Sequence, residues 1–334
     1  MATMIDVANR ANVSIATVSR VLNGLKSVDP ALAKRVQDAV RELRYEPNFT
    51  ARNLRCKESR TLIILTPNIT NLYYSNIIAG IAHGAQERGY SYFLFNTEGK
   101  RELEEQILDR LEKRQADGAI RLAAELGADW IQKYASHYPI VQCSEFDPAY
   151  KIPHVSIDNY QAARDAVGYL IANGHTHIGI VSSNNRFFST AERMRGYKDA
   201  LLDAGLTIND DYIRYAAWDD FKASSKAARS LLSVKDRPTA LFCISDMLAL
   251  GAIASAKELG LRVPEDVSVI GFDDVEYTTM FHPYVTTVVQ PCFDIGHTAV
   301  NLVCKLIKHK EVLTEVILPQ HLVIRESVTK YAGQ

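Results

Sequence analysis

Ser14-Ile15-Ala16-Thr17-Val18-Ser19-Arg20-Val21-Leu22-Asn23 carries two chemistries at helical spacing. Ile15 with Ser19, and Ala16 with Arg20, are i,i+4 pairs on one face, whereas Val18, Val21 and Leu22 turn the other way. Such a helix packs one face on a small core and leaves the other for a partner. The Arg20 fork matches guanine O6 and N7, a contact worth about 1–3 kcal/mol of discrimination, and Ile15 and Ala16 suit a thymine methyl. Ser14, Thr17 and Asn23 have the short polar groups that hold phosphates and fix register. The segment therefore reads as the second helix of a helix-turn-helix, with Ser19 on the same reading face. The blander alternative is a small helical bundle with a surface arginine.

A second set of polar residues follows short apolar runs: Asn68 and Asn71 to Tyr74, Ser144-Glu145, Ser245-Asp246 and Asp273-Asp274. Open α/β sheets bind ligands beyond the carboxyl ends of their strands, so these residues are candidates for a small-molecule site. Acid/base catalysis by Asp219-Asp220 or Asp273-Asp274 is disfavoured, because adjacent residues on a strand point to opposite faces. No phosphate-binding Gly-rich segment or GxSxG is present, and His175-Thr176-His177 lacks a companion cysteine or carboxylate at metal-ligand spacing. The expectation is a protein that is not an enzyme and uses no metal or cofactor.

Positioning these groups requires two kinds of element. Thr3 with Asp6 forms a capping-box pattern, Ser14 can cap a second segment, and Asp29-Pro30 is a cap followed by Pro at the first helical position. Three short helices over 3–45 follow, with Leu32, Val36, Val40 and Leu43 adding to a shared core. From Thr61 the texture changes to apolar runs alternating with amphipathic stretches, the mark of parallel βαβ units. Strands are predicted at 62–66, 91–96, 118–122, 140–143, 154–157, 177–181, 240–244 and 267–271. Helices are predicted at 74–88, 102–114, 159–173, 191–204, 224–232 and 247–259. The connection around 153–158 divides two similar α/β stretches.

Across 334 residues the formal net charge is only -1, yet residues 1–60 hold 11 Lys/Arg against 6 Asp/Glu and the remainder 27 against 33. A basic front on an acidic body suggests that the front alone meets a polyanion. The five cysteines, Cys56, Cys143, Cys243, Cys292 and Cys304, form no CxxC pair and read as free thiols. With no apolar leader and no run of 18 apolar residues, neither secretion nor a membrane span is expected, and the predicted location is cytoplasmic.

Asp6-Val7-Ala8, Ala11, Val13-Ser14 and Thr17-Val18-Ser19-Arg20-Val21-Leu22-Asn23 resemble the N-terminal signature of the lactose-repressor/galactose-repressor family. The resemblance continues through Tyr45, Pro47-Asn48 and Ala51-Arg52-Asn53-Leu54 to Ile324-Arg325-Glu326-Ser327, so it spans nearly the whole chain. It implies a three-helix helix-turn-helix (1–47), a hinge helix or linker (48–60), and an α/β periplasmic-binding-protein-like domain of two Rossmann-like lobes (61–334). The N-lobe would comprise about 61–157 and 287–318, the C-lobe about 158–286 and 319–334. In the hinge, Leu54 would wedge between base steps in the minor groove, with Arg52 and Arg55 near phosphates. Tyr73, Tyr74, Ser189, Arg193, Trp218, Ser245 and Asp273 would line an effector cleft.

Arg193 and Asp273 offer charge-assisted hydrogen bonds to hydroxyls, and Tyr73 and Trp218 offer flat faces, so a sugar or nucleoside is favoured. The implied partners are a pseudo-palindromic double-stranded operator, that effector and a second copy of the chain. Helix 74–88 would be part of the dimer contact. A transcriptional regulator, most simply a repressor, is the reading that results. The rival is a sugar-binding receptor with no role in gene regulation.

Overall fold

The structure, a computed structural model, describes residues 2–22, 28–45 and 58–331. It divides into two compact units, residues 1–59 and 60–334. In the first, α1 (Met4–Ala11), α2 (Ile15–Leu22) and α3 (Pro30–Glu42) enclose Val7, Ala8, Ala11, Val18, Val36, Ala39 and Tyr45. The Thr3 hydroxyl accepts from the Asp6 amide while the Asp6 carboxylate accepts from the Thr3 amide, closing the expected capping box. Asn12 leaves α1 with φ +48°, and Arg35 donates to the exposed carbonyls of Ala11 and Asn12. Asp29 caps α3 ahead of Pro30, as the sequence predicts.

The second unit holds two six-stranded sheets. The first lobe contains β1 (Thr61–Thr66), α4 (Leu72–Glu87), β2 (Ser91–Asn96), α5 (Arg101–Glu112), β3 (Gly118–Arg121), α6 (Ile131–Ala135), β4 (Ile140–Cys143) and β5 (His154–Ile157). The second contains α7 (Asn159–Ala172), β6 (Ile178–Ser182), α8 (Phe188–Asp203), β7 (Ile213–Tyr215), α9 (Phe221–Leu232), β8 (Ala240–Cys243), α10 (Asp246–Glu258), β9 (Ser268–Asp273) and β10 (Thr286–Val289). The chain then returns to the first lobe for α11 (Cys292–Ile307) and β11 (Glu315–Leu318), and ends in the second with β12 (His321–Val323).

Strand orders are β11-β5-β4-β3-β1-β2 and β12-β10-β9-β8-β6-β7. Every pairing is parallel except β10 with β12. The order reverses between β1 and β3 in one sheet and between β6 and β8 in the other, which opens a crevice at the carboxyl end of each. Helices cover both faces: Leu62 and Ile64 pack with Ile77 and Ile81 of α4, while Ile63 and Leu65 pack with Leu108 and Leu111 of α5. Helices α4 and α11 meet backbone to backbone, since a Cβ on Gly80 would lie 2.0 Å from the Phe293 carbonyl oxygen and one on Gly296 2.1 Å from that of Ile77.

The crossing between lobes falls later than the sequence suggests. Residues 287–289 were expected in the N-lobe, but Thr287, Val288 and Val289 pair with β9 and β12, so the passage is at Gln290-Pro291. No described helix is long and apolar enough to cross a membrane.

Candidate functional site

In the first unit α2 divides its residues as its spacing demands. Val18 is fully buried, Val21 and Leu22 pack on the core, and Ile15, Ala16 and Arg20 are exposed. Ser14 accepts from the Thr17 amide at 3.1 Å, so both hydroxyls begin the helix where phosphates would be met. Asn23, Arg52, Leu54 and Arg55 lie outside the described residues.

The loops at the carboxyl ends of the two sheets of residues 60–334 face each other across a closed cleft. Leu126 and Arg186 exchange backbone and side-chain hydrogen bonds from opposite lobes, beside a bridge between Glu125 and Phe187. Asn68 donates to Asp219 at 3.0 Å, and Tyr74 meets Trp218 edge to face at 5.6 Å.

Deeper in, buried polar groups form a chain from one lobe to the other. Tyr73, on the first turn of α4, shares a hydrogen bond with Ser144 and donates to Gln290 Oε1 at 3.1 Å. The other end of the Gln290 amide donates to Asp273 Oδ1 at 2.8 Å. Glu145 reaches across the lobes and accepts from the Ser189 hydroxyl and amide at the start of α8. Ser144 (φ +73°), Asp273 (φ +113°) and Asp274 (φ +56°) hold left-handed backbone, a strain that persists only where surrounding contacts impose it.

Arg193 is the central cation. Its Nε donates to Asn159 Oδ1 at 2.9 Å and Nη1 to the Ile244 carbonyl at 2.6 Å, with the guanidinium 3.6 Å from the Phe272 ring centre. Asp273 stands 3.8 Å away, an attraction without a close hydrogen bond. Burial raises the Glu145 carboxyl to about 6, against the opposing pull of Ser189 and Arg193. It raises Asp273 to about 7, offset by Arg193 and Gln290. Burial likewise holds the Tyr73 and Tyr74 hydroxyls well above the usual phenol range.

Eleven residues were expected to contact an effector, and the structure sorts them. Tyr73, Tyr74, Ser144, Glu145, Ser189, Arg193, Trp218 and Asp273 converge on the cleft. Asn71 instead caps α4 by accepting from the Tyr73 amide, and Ser245 caps α10 and donates to the Trp218 carbonyl. Asp246 is corrected: it is fully buried within the second lobe, with Oδ1 bonded to Thr287 and Oδ2 to the Val275 amide. Its carboxyl, raised by burial and then by Asp273, anchors the loop that carries Asp273 and is not available to a ligand. Gln290 and Asn159 escaped the sequence reading. Both would have followed from the rule of polar residues after strands had β10 been recognised and had the residue two past β5 been weighed.

Comparison with known proteins gives a consistent result. The profile described as bacterial regulatory proteins, lacI family, matches residues 3–48, and that of a periplasmic binding protein-like domain matches residues 167–328. The HTH-type transcriptional repressor CytR of Escherichia coli (strain K12) is 39% identical over 302 residues, covering 90% of this chain and 88% of that protein. Catabolite control protein A of Priestia megaterium is 36% identical over 97% of this chain and 98% of its own. Among solved structures, the lac repressor dimer bound to operator and the anti-inducer ONPF superposes with a TM-score of 0.89 at 27% identity, covering 98% and 99% of the two chains.

Proposed function

Because the chain belongs to the lacI family of bacterial regulatory proteins, we propose that it represses genes for the use of a carbohydrate or nucleoside, and that this compound sets its grip on the operator. As a member of that family it is a DNA-binding transcriptional regulator that dimerises and is controlled by a small molecule. It acts where the chromosome is, in the cytoplasm, and performs no catalysis of its own.

The observation that carries this reading is the polar chain Tyr73–Gln290–Asp273. It ties both lobes to one point of the cleft, so a ligand that replaces these bonds changes the lobe angle. Arg20 would read a guanine and Ile15 and Ala16 thymine methyls, with Ser19 on the same reading face, and Ser14, Thr17, Asn23, Arg52 and Arg55 would hold phosphates and register. Leu54 would wedge between the central base steps. The partner copy would cover α4 and the β2 edge, where Tyr92, Phe93 and Leu94 are each 39–49% exposed on the outermost strand of the first sheet.

The test is fluorescence anisotropy of the full chain on a palindromic duplex with a central CG step, for wild type and Leu54→Ala, with a panel of sugars and nucleosides. Tight, salt-sensitive binding that weakens in Leu54→Ala and shifts with one ligand supports the repressor. Binding no stronger than to a scrambled duplex, with a sugar still bound, favours a receptor that does not regulate genes.

A further inference from the structure

Six buried side-chain polar atoms have no hydrogen-bond partner among the described residues, and four of them gather in one place. These are Arg121 Nη1, Gln142 Oε1 and Nε2, and His154 Nε2. Arg121 of β3 is in register with Gln142 of β4, and Gln142 with His154 of β5, so the three form a transverse row across the first sheet. Side chains alternate along a strand, which puts Arg121 and Gln142 on the α5 face, two residues beyond Ala119 and Ile140. Their exposures are 5%, 1% and 8% for Arg121, Gln142 and His154. A carboxamide this deep with neither end bonded is costly unless something supplies its partners.

Charge and tautomer define what would satisfy the row. Arg121 Nε donates to Glu104 of α5 at 2.6 Å, and this buried pair neutralises itself, with Trp130 covering the guanidinium at 5.3 Å. His154 Nδ1 lies 3.3 Å from the Ile152 carbonyl and donates to it, which leaves Nε2 as a lone pair. The one carboxylate near that lone pair, Glu315 of β11, is 3.5 Å away and 62% exposed. Burial holds the imidazole below its ordinary range, against the pull of Ile152 and Glu315, so the ring is neutral at pH 7. Two donors, Arg121 Nη1 and Gln142 Nε2, therefore stand beside two acceptors, Gln142 Oε1 and His154 Nε2, with no net charge. An anion would be uncompensated there, and a metal ion would be repelled by the guanidinium. A small neutral molecule that both donates and accepts fits all four atoms, and water is that molecule.

The far end of the row touches the joint between the lobes. Phe146 lies flat on His154, with ring centres 3.7 Å and planes 11° apart, and it also meets Phe188 of α8 at 4.9 Å. Glu145 and Ser189, the sequence neighbours of these two phenylalanines, are the pair that clasps one lobe to the other. We propose that Arg121, Gln142 and His154 form a binding site for ordered water, and that this water seats the imidazole on which Phe146, and through it the closed second lobe, rests. Gln142 and His154 are thus positioning residues for closure, acting through Phe146.

A crystal structure of the full-length protein, at a resolution that shows ordered solvent, tests occupancy. At least one water should stand within hydrogen-bonding distance, about 2.7–3.2 Å, of both the Gln142 amide and Arg121 Nη1. Direct side-chain bonds that close the row without solvent overturn the proposal, as does an anomalous bromide peak there in a crystal soaked in sodium bromide. Gln142→Leu gives a test of opposite signs in urea unfolding. Its midpoint should fall, because the water loses its central partner and Arg121 Nη1 and His154 Nε2 are stranded; a midpoint that holds or rises, as it would for an amide that is simply unsatisfied, overturns the site. Hydrogen exchange of the ligand-free protein reads the positioning role. In the variant, residues 187–190 should exchange on the order of tenfold faster, about the loss of one hydrogen bond, while α9 keeps its wild-type rate. Unchanged exchange at 187–190, or equal acceleration in α9, overturns the link to closure, and the wild-type crystal decides occupancy even if the variant does not fold.

Discussion

Glu145 illustrates how one buried side chain makes closure of the cleft depend on pH. Burial raises its carboxyl from the ordinary 4.5 to about 6, so the folded chain holds the proton more firmly than the unfolded chain does. The stabilising effect is complete below about pH 4.5 and is lost as pH rises through 6, and Asp273, at about 7, extends the loss to neutrality. For Glu145 alone the cost above pH 6 is about 2 kcal/mol. The melting temperature of the ligand-free protein should therefore fall from pH 5 to pH 8, and Glu145→Gln should flatten part of that fall; equal slopes for both proteins would refute it. At the other end of the chain, Arg20→Ala should cost about 1–3 kcal/mol on the operator and relax preference at one G·C position, measured by anisotropy on base-substituted duplexes. The exposure of Arg20 and the place of Asp273 at the end of a strand were legible from helical spacing and from the end of an apolar run, whereas Arg193, inside α8, was marked only by the family resemblance. Asp246 was misread for a physical reason: a polar pair opening a helix has one side chain toward the cleft loops and one toward the lobe interior, and sequence alone does not say which.

Helices α4 and α11 approach so closely that glycine is required at their contact. Gly80→Ala would drive a methyl into the Phe293 carbonyl and should destabilise the second unit by at least about 1–3 kcal/mol in urea unfolding. Gly168→Ala in α7 is the control, because a Cβ there meets nothing within 4 Å. That change should be neutral or stabilise by up to about 1 kcal/mol through helix propensity. Comparable losses at both positions would mean that the close approach is not what matters. The longer strands and helices before residue 271 were predicted to within a few residues, since each has an apolar run or a clear amphipathic period, whereas the five-residue α6 and the three-residue, partly exposed β7 were missed. Helix α11 was missed: its start at Pro291 has no side-chain cap, and Gly296 with the β-branched Thr298 and Val300 weakens its helical signature. Strands β10, β11 and β12 offer no clear apolar run: β10 opens with Thr286-Thr287, and β11 and β12 are short, partly exposed edge strands.

At the scale of the molecule, reading and sensing belong to separate compact units, and this separation is testable. A fragment of residues 60–334 should keep the ligand affinity of the full chain in calorimetry and lose operator binding entirely; a fragment that still retained operator preference would contradict the assignment of α2. The two units also differ in how they are assembled from the chain. The helical unit uses one continuous stretch, whereas each lobe closes only with late segments: α11 and β11 complete the first sheet's layers, and β12 edges the second. On the ribosome, then, the reading head can fold soon after it emerges, while both halves of the sensor wait for the last strands to be translated. A message cut short before Glu315 would yield a sensor with two raw sheet edges and no finished cleft, a substrate for proteases. Quality control by degradation would thus spare the cell a protein that grips its operator and cannot be told to change its hold.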